Sequence, residues 1–350
     1  MSGAATLSTD PDAFPGPVPP LCWSGTVDRA LLHRRNPSEA FLTDAVRTGP
    51  DSFAAAALLP PAHPHYGGHT GPSRHRDPML LLECARQAET YAAHALYGVE
   101  PDAHFVLRAW SAEFAAPGTP PAEFAAPGTA EPSSAGTELL ITAVTSNARL
   151  VRDRLRGLDY DLRLWVGAEQ VGRVRMEVGY LGHPAYTVVR AREHPGGLPS
   201  SDRFTPAAGC PVEPALVGRL RATDAVLLDV AAGERTVGAR LRVPVDNPSL
   251  FDHAQDHIPA MVLVEAARQL AALATRHWGG AAPDRTRMAA VSSSFNAYAE
   301  LAEPLELTAV PAGPAVEVGF TQAGTAIAQA RVEMTGAGPE RSATWHGPPS

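Results

Sequence analysis

The feature of this sequence that most constrains its fold is an internal repeat. The stretch HRDPMLLLECARQ at residues 75–87 and the stretch HIPAMVLVEAARQ at residues 257–269 agree at seven of thirteen positions. Each begins with a histidine and ends with Glu, Arg and Gln set into an otherwise apolar run. Because such self-similarity is typical of a duplicated structural unit, the chain is expected to consist of two related halves.

The segments around the two stretches extend the repeat. Residues 39–60 and 224–244 both read as a strand, a Gly-containing turn and a second strand, and three or four further strand-like runs follow each stretch. The apolar stretches predict long helices over residues 78–96 and 259–278, each covered nearly all round. One helix followed by antiparallel strands predicts an α+β fold, in which a curved sheet wraps a central helix in each half.

Composition marks the boundaries of the two units. Segments rich in Pro and Gly lie before and between them, and another, which contains the heptapeptide EFAAPGT twice, interrupts the first unit. Such segments are typical of mobile termini, surface loops and linkers. The predicted order is a mobile N-terminus (1–24), a first domain (25–191) with an inserted loop at about 115–135, a linker (192–211), a second domain (212–336) and a tail (337–350).

Composition and charge also exclude several classes of protein. All 29 basic residues are arginine, so neither a Schiff-base lysine nor the lysine of a phosphate-binding P-loop is available. The formal charge of -8 disfavours nucleic acid as the main partner, and no apolar run is long enough to cross a membrane. Three separated cysteines without a CxxC pair, and an N-terminus without a secretory leader, favour a reducing cytoplasm.

The polar residues of the repeated stretch share one face of each predicted helix. They are Glu83, Arg86 and Gln87 in the first half and Glu265, Arg268 and Gln269 in the second. One interpretation is a solvent-facing ion pair, which contributes on the order of a few tenths of a kcal/mol. The apolar surroundings and the recurrence favour another, a buried functional site whose glutamates have raised pKa values suited to a general acid or base.

Other polar residues near the helices are weaker candidates. His75 and His257 occupy the same aligned position ahead of the helices, where a role in the site and a surface role are equally open. No metal site is predicted, because the histidine-rich loop at residues 63–75 lacks a carboxylate pattern, and no cofactor is expected. The serines at residues 292–294 lack a GxSxG setting, and Cys84 has no cysteine counterpart, which favours packing.

Four stretches resemble a known family: SEAFLTDAVR, DSFAAAALLP, HRDPMLLLECARQA and FDHAQDHIPAMVLVEAARQLA. Together they make the chain similar, over about residues 30–335, to the A-factor biosynthesis hotdog-domain proteins, which resemble synthases of γ-butyrolactone and butenolide signals. The resemblance implies a tandem double hotdog, in which two antiparallel sheets each wrap a long central helix. It also implies that an acyl chain occupies a tunnel at the interface between the two hotdogs.

The resemblance further implies an acyltransferase, which moves a β-ketoacyl group from acyl carrier protein to the hydroxyl group of dihydroxyacetone phosphate. By position, the catalytic candidates are Glu83, Glu265 and Arg268. The residues expected to bind substrate are Arg86, Gln87, Gln269, His75 and His257. A glutamate would accept the hydroxyl proton, Arg86 or Arg268 would bind the phosphate, and a helix N-terminus near residues 78–80 or 259–261 would polarise the thioester carbonyl.

Other functions stay open at this point. A hotdog thioesterase or a 3-hydroxyacyl dehydratase would act without dihydroxyacetone phosphate, and a non-catalytic acyl-binding regulator would show no turnover. The basic stretch ARLVRDRLRG at residues 148–157 is a candidate docking surface for the acidic carrier protein, although an arginine-rich loop is more often a solvated surface. Because one chain already contains both hotdogs, a monomer or a homodimer is expected.

Overall fold

The computed structural model describes residues 18–70, 77–115 and 137–336. Most of the predicted N-terminal segment, most of the predicted inserted loop, the tail at residues 337–350, and His75 lie outside these residues. The part of the chain that is described contains two similar series of elements, one after the other.

Each series contains two strands, a helix and further strands, in the predicted order. The first series is β1 (Leu42–Gly49), β2 (Ser52–Leu59), α1 (Pro78–Tyr91), β3 (His104–Phe114), β4 (Thr137–Val151), β5 (Arg154–Val166), β6 (Glu169–Leu181) and α2 (His183–Glu193). The second is β7 (Leu227–Ala232), β8 (Val237–Leu241), β9 (His257–Ile258), α3 (Ala260–His277), β10 (Thr286–Phe295), β11 (Ala299–Glu300), β12 (Leu305–Ala312), β13 (Ala315–Gln322) and β14 (Thr325–Gly336).

Twelve strands form one continuous sheet in the order β1-β2-β4-β5-β6-β3-β10-β14-β13-β12-β8-β7. The first six strands come from the first half and the last six from the second, and the halves meet where β3 pairs antiparallel with β10. At this seam Ser111 lies opposite Ser292. The two predicted sheets are therefore halves of one sheet, because pairing β3 with β10 satisfies backbone groups that two free edges would expose.

Each half-sheet packs against its own helix. Helix α1 contacts β1, β2, β5 and β6 of its own half and β10 of the other, and α3 contacts β7, β8, β10, β12, β13 and β14. Apolar side chains of α1 away from its polar residues are buried: Leu80, Leu81, Cys84 and Ala88. The helix predicted over residues 78–96 is observed as α1 followed by a π-helical turn at Ala92–Leu96. Burial of these apolar side chains on both helices forms one hydrophobic core.

The two central helices begin differently, and this difference matters for the site. Pro78 is the first residue of α1, and the side chain of Asp77 accepts a hydrogen bond of 2.9 Å from the backbone N–H of Met79. Helix α3 begins after Pro259, which provides no capping side chain. The first N–H groups of α3 therefore lack the side-chain acceptor that α1 has, and they carry the positive end of the helix dipole.

Helix α2 was not predicted, and it ends inside the segment that was predicted to be a linker. Its Arg190 is fully buried, and Arg190 Nη1 donates to Glu300 Oε1 of the second half at 2.5 Å. A buried guanidinium group needs such a partner, so this pair fastens α2 to the second half. No helix in the described residues is long and apolar enough to span a membrane.

Candidate active site

Glu83 lies at the centre of a buried ion cluster in the first half. Its carboxylate accepts hydrogen bonds from Arg34 Nε at 3.0 Å and from Arg86 Nε and Nη2 at 2.8 and 2.7 Å. Gln87 Nε2 donates to Glu83 Oε1 at 2.6 Å. Two guanidinium groups and one amide thus surround a carboxylate that is 0% exposed, and the cluster keeps a net positive charge.

Glu265 is surrounded in the same way in the second half. Arg219 Nε donates to its carboxylate at 2.8 Å, and Arg268 Nε and Nη2 donate at 2.8 Å each. Gln269 Nε2 completes the set at 2.5 Å. Because the partners and distances repeat so closely, the shared residues of the two stretches form one recurrent arrangement rather than a site confined to one half.

Each of the two glutamines hydrogen-bonds its helix to the backbone just before the first strand of its own half. Gln87 Oε1 accepts a hydrogen bond of 2.9 Å from the backbone N–H of Phe41, just ahead of β1, while its Nε2 donates to the carbonyl of Glu39. Gln269 makes the equivalent pair of bonds, accepting from Val226 N–H and donating to the Asp224 carbonyl. The repeated glutamines therefore satisfy buried backbone groups, which are costly to leave unpaired.

The pKa values of the two glutamates differ from the raised values expected from the sequence. Burial alone would raise the pKa of Glu83, but the guanidinium groups of Arg34 and Arg86 outweigh it and hold that pKa at about 2. Arg219 and Arg268 likewise hold the pKa of Glu265 well below its usual value. The expectation of raised pKa values was wrong because it left out the second arginine in each half.

A cavity with a volume of about 1100 Å³ lies between the two halves. Of the predicted site residues, Arg86 and His257 line this cavity, together with Arg34, which the sequence analysis did not single out. Within the described residues, five other predicted site residues lie outside its lining: Glu83, Gln87, Glu265, Arg268 and Gln269. The two repeated clusters are therefore alike in bonding but differ in access to the cavity.

The loop before α3 contributes two Asp–His pairs to the cavity wall. His253 Nδ1 lies 3.3 Å from Asp252 Oδ2, and His257 Nδ1 lies 2.6 Å from Asp256 Oδ1. The start of α3, from Pro259 to Met261, lines the same cavity. An uncapped helix N-terminus and paired histidines in one cavity wall can stabilise developing negative charge and move protons.

Helix α2 and the strand β3 complete this wall with aromatic and charged groups. Tyr186 Oη donates to Asp256 Oδ2 at 2.5 Å, and Arg190 Nε lies 3.5 Å from the same oxygen. The ring of His104 stacks parallel to Tyr186, with 3.5 Å between ring centroids. Asp256 therefore connects the second half to α2 through the wall of the cavity.

Glu89 is a further acidic residue in the cavity lining. Its Oε1 accepts from Tyr180 Oη at 3.2 Å, and Tyr180 Oη lies 2.5 Å from Tyr160 Oη. Burial raises the pKa of Glu89 to about 7, although Thr90 and Arg86 act in the opposite direction. Glu83 and Glu89 lie six positions apart on one helix, yet their pKa values shift in opposite directions, because only Glu83 has two arginines in contact.

One group of side chains has the composition of a metal site. Glu193, His194 and Glu300 place possible ligand atoms within 4.8 Å of one another. The guanidinium group of Arg190 already donates to Glu193 and Glu300 at 3.0 and 2.5 Å. Because this arginine already donates to both carboxylates, the geometry favours an ion cluster over a metal site.

Comparison with known proteins identifies the family. The family model of the A-factor biosynthesis hotdog domain matches residues 23–181 and 200–336. The chain belongs to this family. It is 32% identical over 300 residues to the 2-oxo-3-(phosphooxy)propyl 3-oxoalkanoate synthase of Streptomyces virginiae, covering 85% of this chain and 92% of the relative. A synthase of the same name from Streptomyces griseus is 32% identical, covering 80% of this chain and 84% of the relative.

The repeat also aligns Arg34 with Arg219, the two arginines that the sequence analysis did not single out. Arg34 follows the short helical turn Arg29–Leu32 and a residue in the left-handed conformation, and Arg219 follows Pro214–Val217 and left-handed Gly218. Comparing LLHR with LVGR would have aligned the two arginines. Arg190 and Tyr186 have no counterpart in the repeat, because α2 occurs in the first half alone among the described residues.

Removing the second arginine of a cluster is expected to destabilise the protein strongly. Arg219→Met leaves Glu265 buried with incomplete compensation, so the free energy of unfolding should fall by about 3–5 kcal/mol in urea titrations. Arg240→Met is the matched control, since it breaks the more exposed ion pair with Asp229 and should cost less than about 1 kcal/mol. Equal losses in the two variants would contradict the anchoring role of the cluster.

The raised pKa of Glu89 predicts a stability that falls with rising pH. The unfolded chain loses this proton above the ordinary pKa of 4.5, whereas the folded protein keeps it up to about pH 7. The free energy of unfolding therefore falls as the pH rises between these two values. Glu89→Gln removes this effect. The free energy of unfolding of the variant relative to the unsubstituted protein should therefore increase from pH 5 to pH 8, by up to about 3 kcal/mol.

Urea titrations at several pH values measure this difference, and Glu83→Gln is its control. The pKa of Glu83 is lowered to about 2, so the stability that its ionised carboxylate contributes is fully present above pH 4.5 and is lost only at lower pH. The free energy of unfolding of Glu83→Gln relative to the unsubstituted protein should hence stay constant between pH 5 and pH 8. A constant difference for Glu89→Gln as well would contradict the assignment.

Proposed function

We propose that this protein is an acyltransferase that joins a 3-oxoacyl group to dihydroxyacetone phosphate. The acyl group comes from a thioester, and the product is a phosphorylated ester on the route to a γ-butyrolactone or butenolide signal. The relatives' name describes such an ester, since 2-oxo-3-(phosphooxy)propyl is the alcohol part that dihydroxyacetone phosphate provides. The observation that carries the proposal is a single cavity lined by an arginine cluster and by an uncapped helix N-terminus.

Arg86 is the proposed phosphate ligand. It lines the cavity with Arg34, and together these two guanidinium groups exceed the charge of Glu83 by one positive unit. His33 also lines the cavity, but burial and Arg86 lower its pKa to about 3, so its ring is neutral near pH 7. The attraction for a phosphate dianion hence comes from the arginines, whose planar groups suit phosphate oxygens.

The start of α3 is the proposed binding position of the thioester carbonyl. Ala260 and Met261 line the cavity, and no side chain caps their backbone N–H groups. Negative charge develops on the carbonyl oxygen when the hydroxyl group attacks, and unpaired N–H groups at a helix N-terminus stabilise such charge. The N-terminus of α1 is less suitable, because Asp77 already caps it.

Apolar side chains provide the proposed channel for the acyl chain. The cavity lining includes side chains from both halves: Leu107, Trp110, Met176, Val178, Leu263 and Ile327. An acyl chain buried against these groups loses contact with water, at about 0.8 kcal/mol per CH₂ group. The 3-oxo group then stays near the start of α3, where the thioester carbonyl is proposed to bind.

The repeated glutamates are proposed to position other groups. Glu83 holds the guanidinium group of Arg86 through two of its nitrogen atoms, which fixes the direction of the phosphate ligand. Glu265 accepts hydrogen bonds from Arg268 and Gln269, and Gln269 in turn binds the backbone just before β7, so this group holds α3 against the start of that strand. Because carboxylates with such low pKa values are poor proton acceptors, this role suits them better than general base catalysis.

The proposed acyl donor is an acyl carrier protein in the cytoplasm, and the proposed docking surface is the β4–β5 hairpin. Arg152 and Arg154 are exposed at this hairpin beside exposed Leu150 and Val151. Arg154 contacts Glu100, whose neighbour Pro101 lines the cavity, so the hairpin lies near the opening. The four arginines of residues 149–156 exceed the three carboxylates beside them, Glu100, Asp153 and Asp159, by one positive charge, and with the exposed apolar side chains they complement an acidic carrier protein.

The function is tested with a small 3-oxoacyl thioester and mass spectrometry of the products. Ester should form only when dihydroxyacetone phosphate is present, whereas a thioesterase or dehydratase would form its product without it. Arg86→Gln should raise KM for dihydroxyacetone phosphate about 10- to 100-fold, since a hydrogen bond to a charged group is lost, and leave KM for the thioester within about twofold. If Arg268→Gln raises that KM instead, the phosphate binds in the second half.

The docking surface is tested by reversing its charge. The double variant Arg152→Glu/Arg154→Glu should raise KM for a carrier-bound donor about tenfold, because it repels an acidic partner, and this effect should weaken with salt. KM for a small thioester should stay the same. Arg235→Glu, an equally exposed change in the β7–β8 turn, serves as the control, and an equal effect on both donors would contradict docking at the hairpin.

A further inference from the structure

Asp256 and His257 form a hydrogen-bonded pair in the cavity wall. None of the proposed contacts with the phosphate, the carbonyl or the acyl chain uses this pair. The short contact between His257 Nδ1 and Asp256 Oδ1 determines which ring nitrogen carries the proton. A carboxylate only accepts hydrogen bonds, so Nδ1 is the donor, and Nε2 of the neutral ring keeps its lone pair. His257 lines the cavity with a side chain that is 25% exposed, so this ring is accessible to a substrate.

The surrounding residues keep Asp256 ionised. Burial alone would raise the pKa of Asp256, but hydrogen bonds from His257 and Tyr186 lower it well below its usual value. Arg190, itself fully buried, adds a positive charge beside the same carboxylate. An ionised Asp256 orients the ring of His257 and stabilises the imidazolium ion that forms when the ring takes up a proton.

The backbone places His257 next to the start of α3. His257 belongs to β9, which pairs antiparallel with β11, with His257 opposite Glu300. Pro259 follows two residues later, and the uncapped N–H groups of α3 come directly after it. A base at this position and the proposed carbonyl site therefore lie on one short segment of the cavity wall, as a hydroxyl group attacking that carbonyl requires.

We propose that His257 is the general base of the acyl transfer, and that Asp256 and Tyr186 are positioning residues that act through it. The inference rests on the proposed function. His257 Nε2 takes the proton from the hydroxyl group of dihydroxyacetone phosphate as its oxygen attacks the thioester carbon. The new C–O bond forms, the C–S bond breaks through a tetrahedral intermediate, and the departing thiolate receives the proton back from His257.

Two other groups in the cavity suit this role less well. His253 Nε2 lies 2.8 Å from Gln255 Nε2, whose amide can only donate, so the lone pair of that ring is already used. Glu89 belongs to α1 and not to the segment that carries the proposed carbonyl site, and its oxygens already accept hydrogen bonds from Tyr180 and Thr90. His257 combines access to the cavity with an available lone pair and an orienting carboxylate.

The test compares kcat and KM for ester formation in variants of the pair. His257→Ala should lower kcat about 10²- to 10⁴-fold, the usual contribution of a general base, with both KM values within about threefold. Added imidazole should restore part of this rate by entering the vacated space. Asp256→Asn should lower kcat at least about tenfold at unchanged KM, because an amide orients the ring without stabilising its positive charge.

Controls separate this inference from the proposed function and from loss of folding. His277→Gln changes a histidine at the other end of α3 and should retain full activity, and His257→Asn keeps a donor for Asp256 if the alanine variant unfolds. Absence of ester formation by the unsubstituted protein would refute the proposed function. Ester formation that persists at full kcat in folded His257→Ala and His257→Asn, or an effect confined to KM, would refute the role of His257 alone.

Discussion

The buried carboxylate of each central helix is the interaction on which the architecture depends. Glu83 and Glu265 are both fully buried, a position that is very unfavourable for a lone negative charge. Each is offset by two arginines, one on the same helix and one from a turn that precedes the first strand of that half. The carboxylate therefore fixes where the chain must enter its sheet, and the neighbouring glutamine pairs the backbone at that entry.

The same arrangement serves different purposes in the two halves. In the first half, the cavity reaches the arginines of the cluster, so the excess positive charge is accessible to an anion. In the second half, the cavity reaches the start of α3 and the loop before it, while the cluster lies outside its lining. Asp77 caps α1 and no side chain caps α3, which adds to this asymmetry. In the proposed function, one duplicated framework thus supplies a phosphate ligand from its first half and a carbonyl-binding position from its second.

The repeat made the helices and most strands predictable, because apolar periodicity and flanking turns are local signals. The pKa shifts of Glu83 and Glu265 were not predictable in the same way, since Arg34 and Arg219 lie far from them in sequence and only the fold brings them together. The seam between β3 and β10 is likewise a contact between the halves, which periodicity within one half does not reveal. Among the described residues, helix α2 has no counterpart in the second half that would have marked it.

Helix α2 shows why the segment after β6 is part of the cavity wall. A passive linker would have no reason to bury Arg190, because a buried guanidinium group is stable only with charged partners around it. Those partners, Glu300 and Asp256, both belong to the second half, and Tyr186 from the same helix shares Asp256 with His257. The ion pairs that hold α2 in place thus also position the carboxylate that orients a histidine in the cavity.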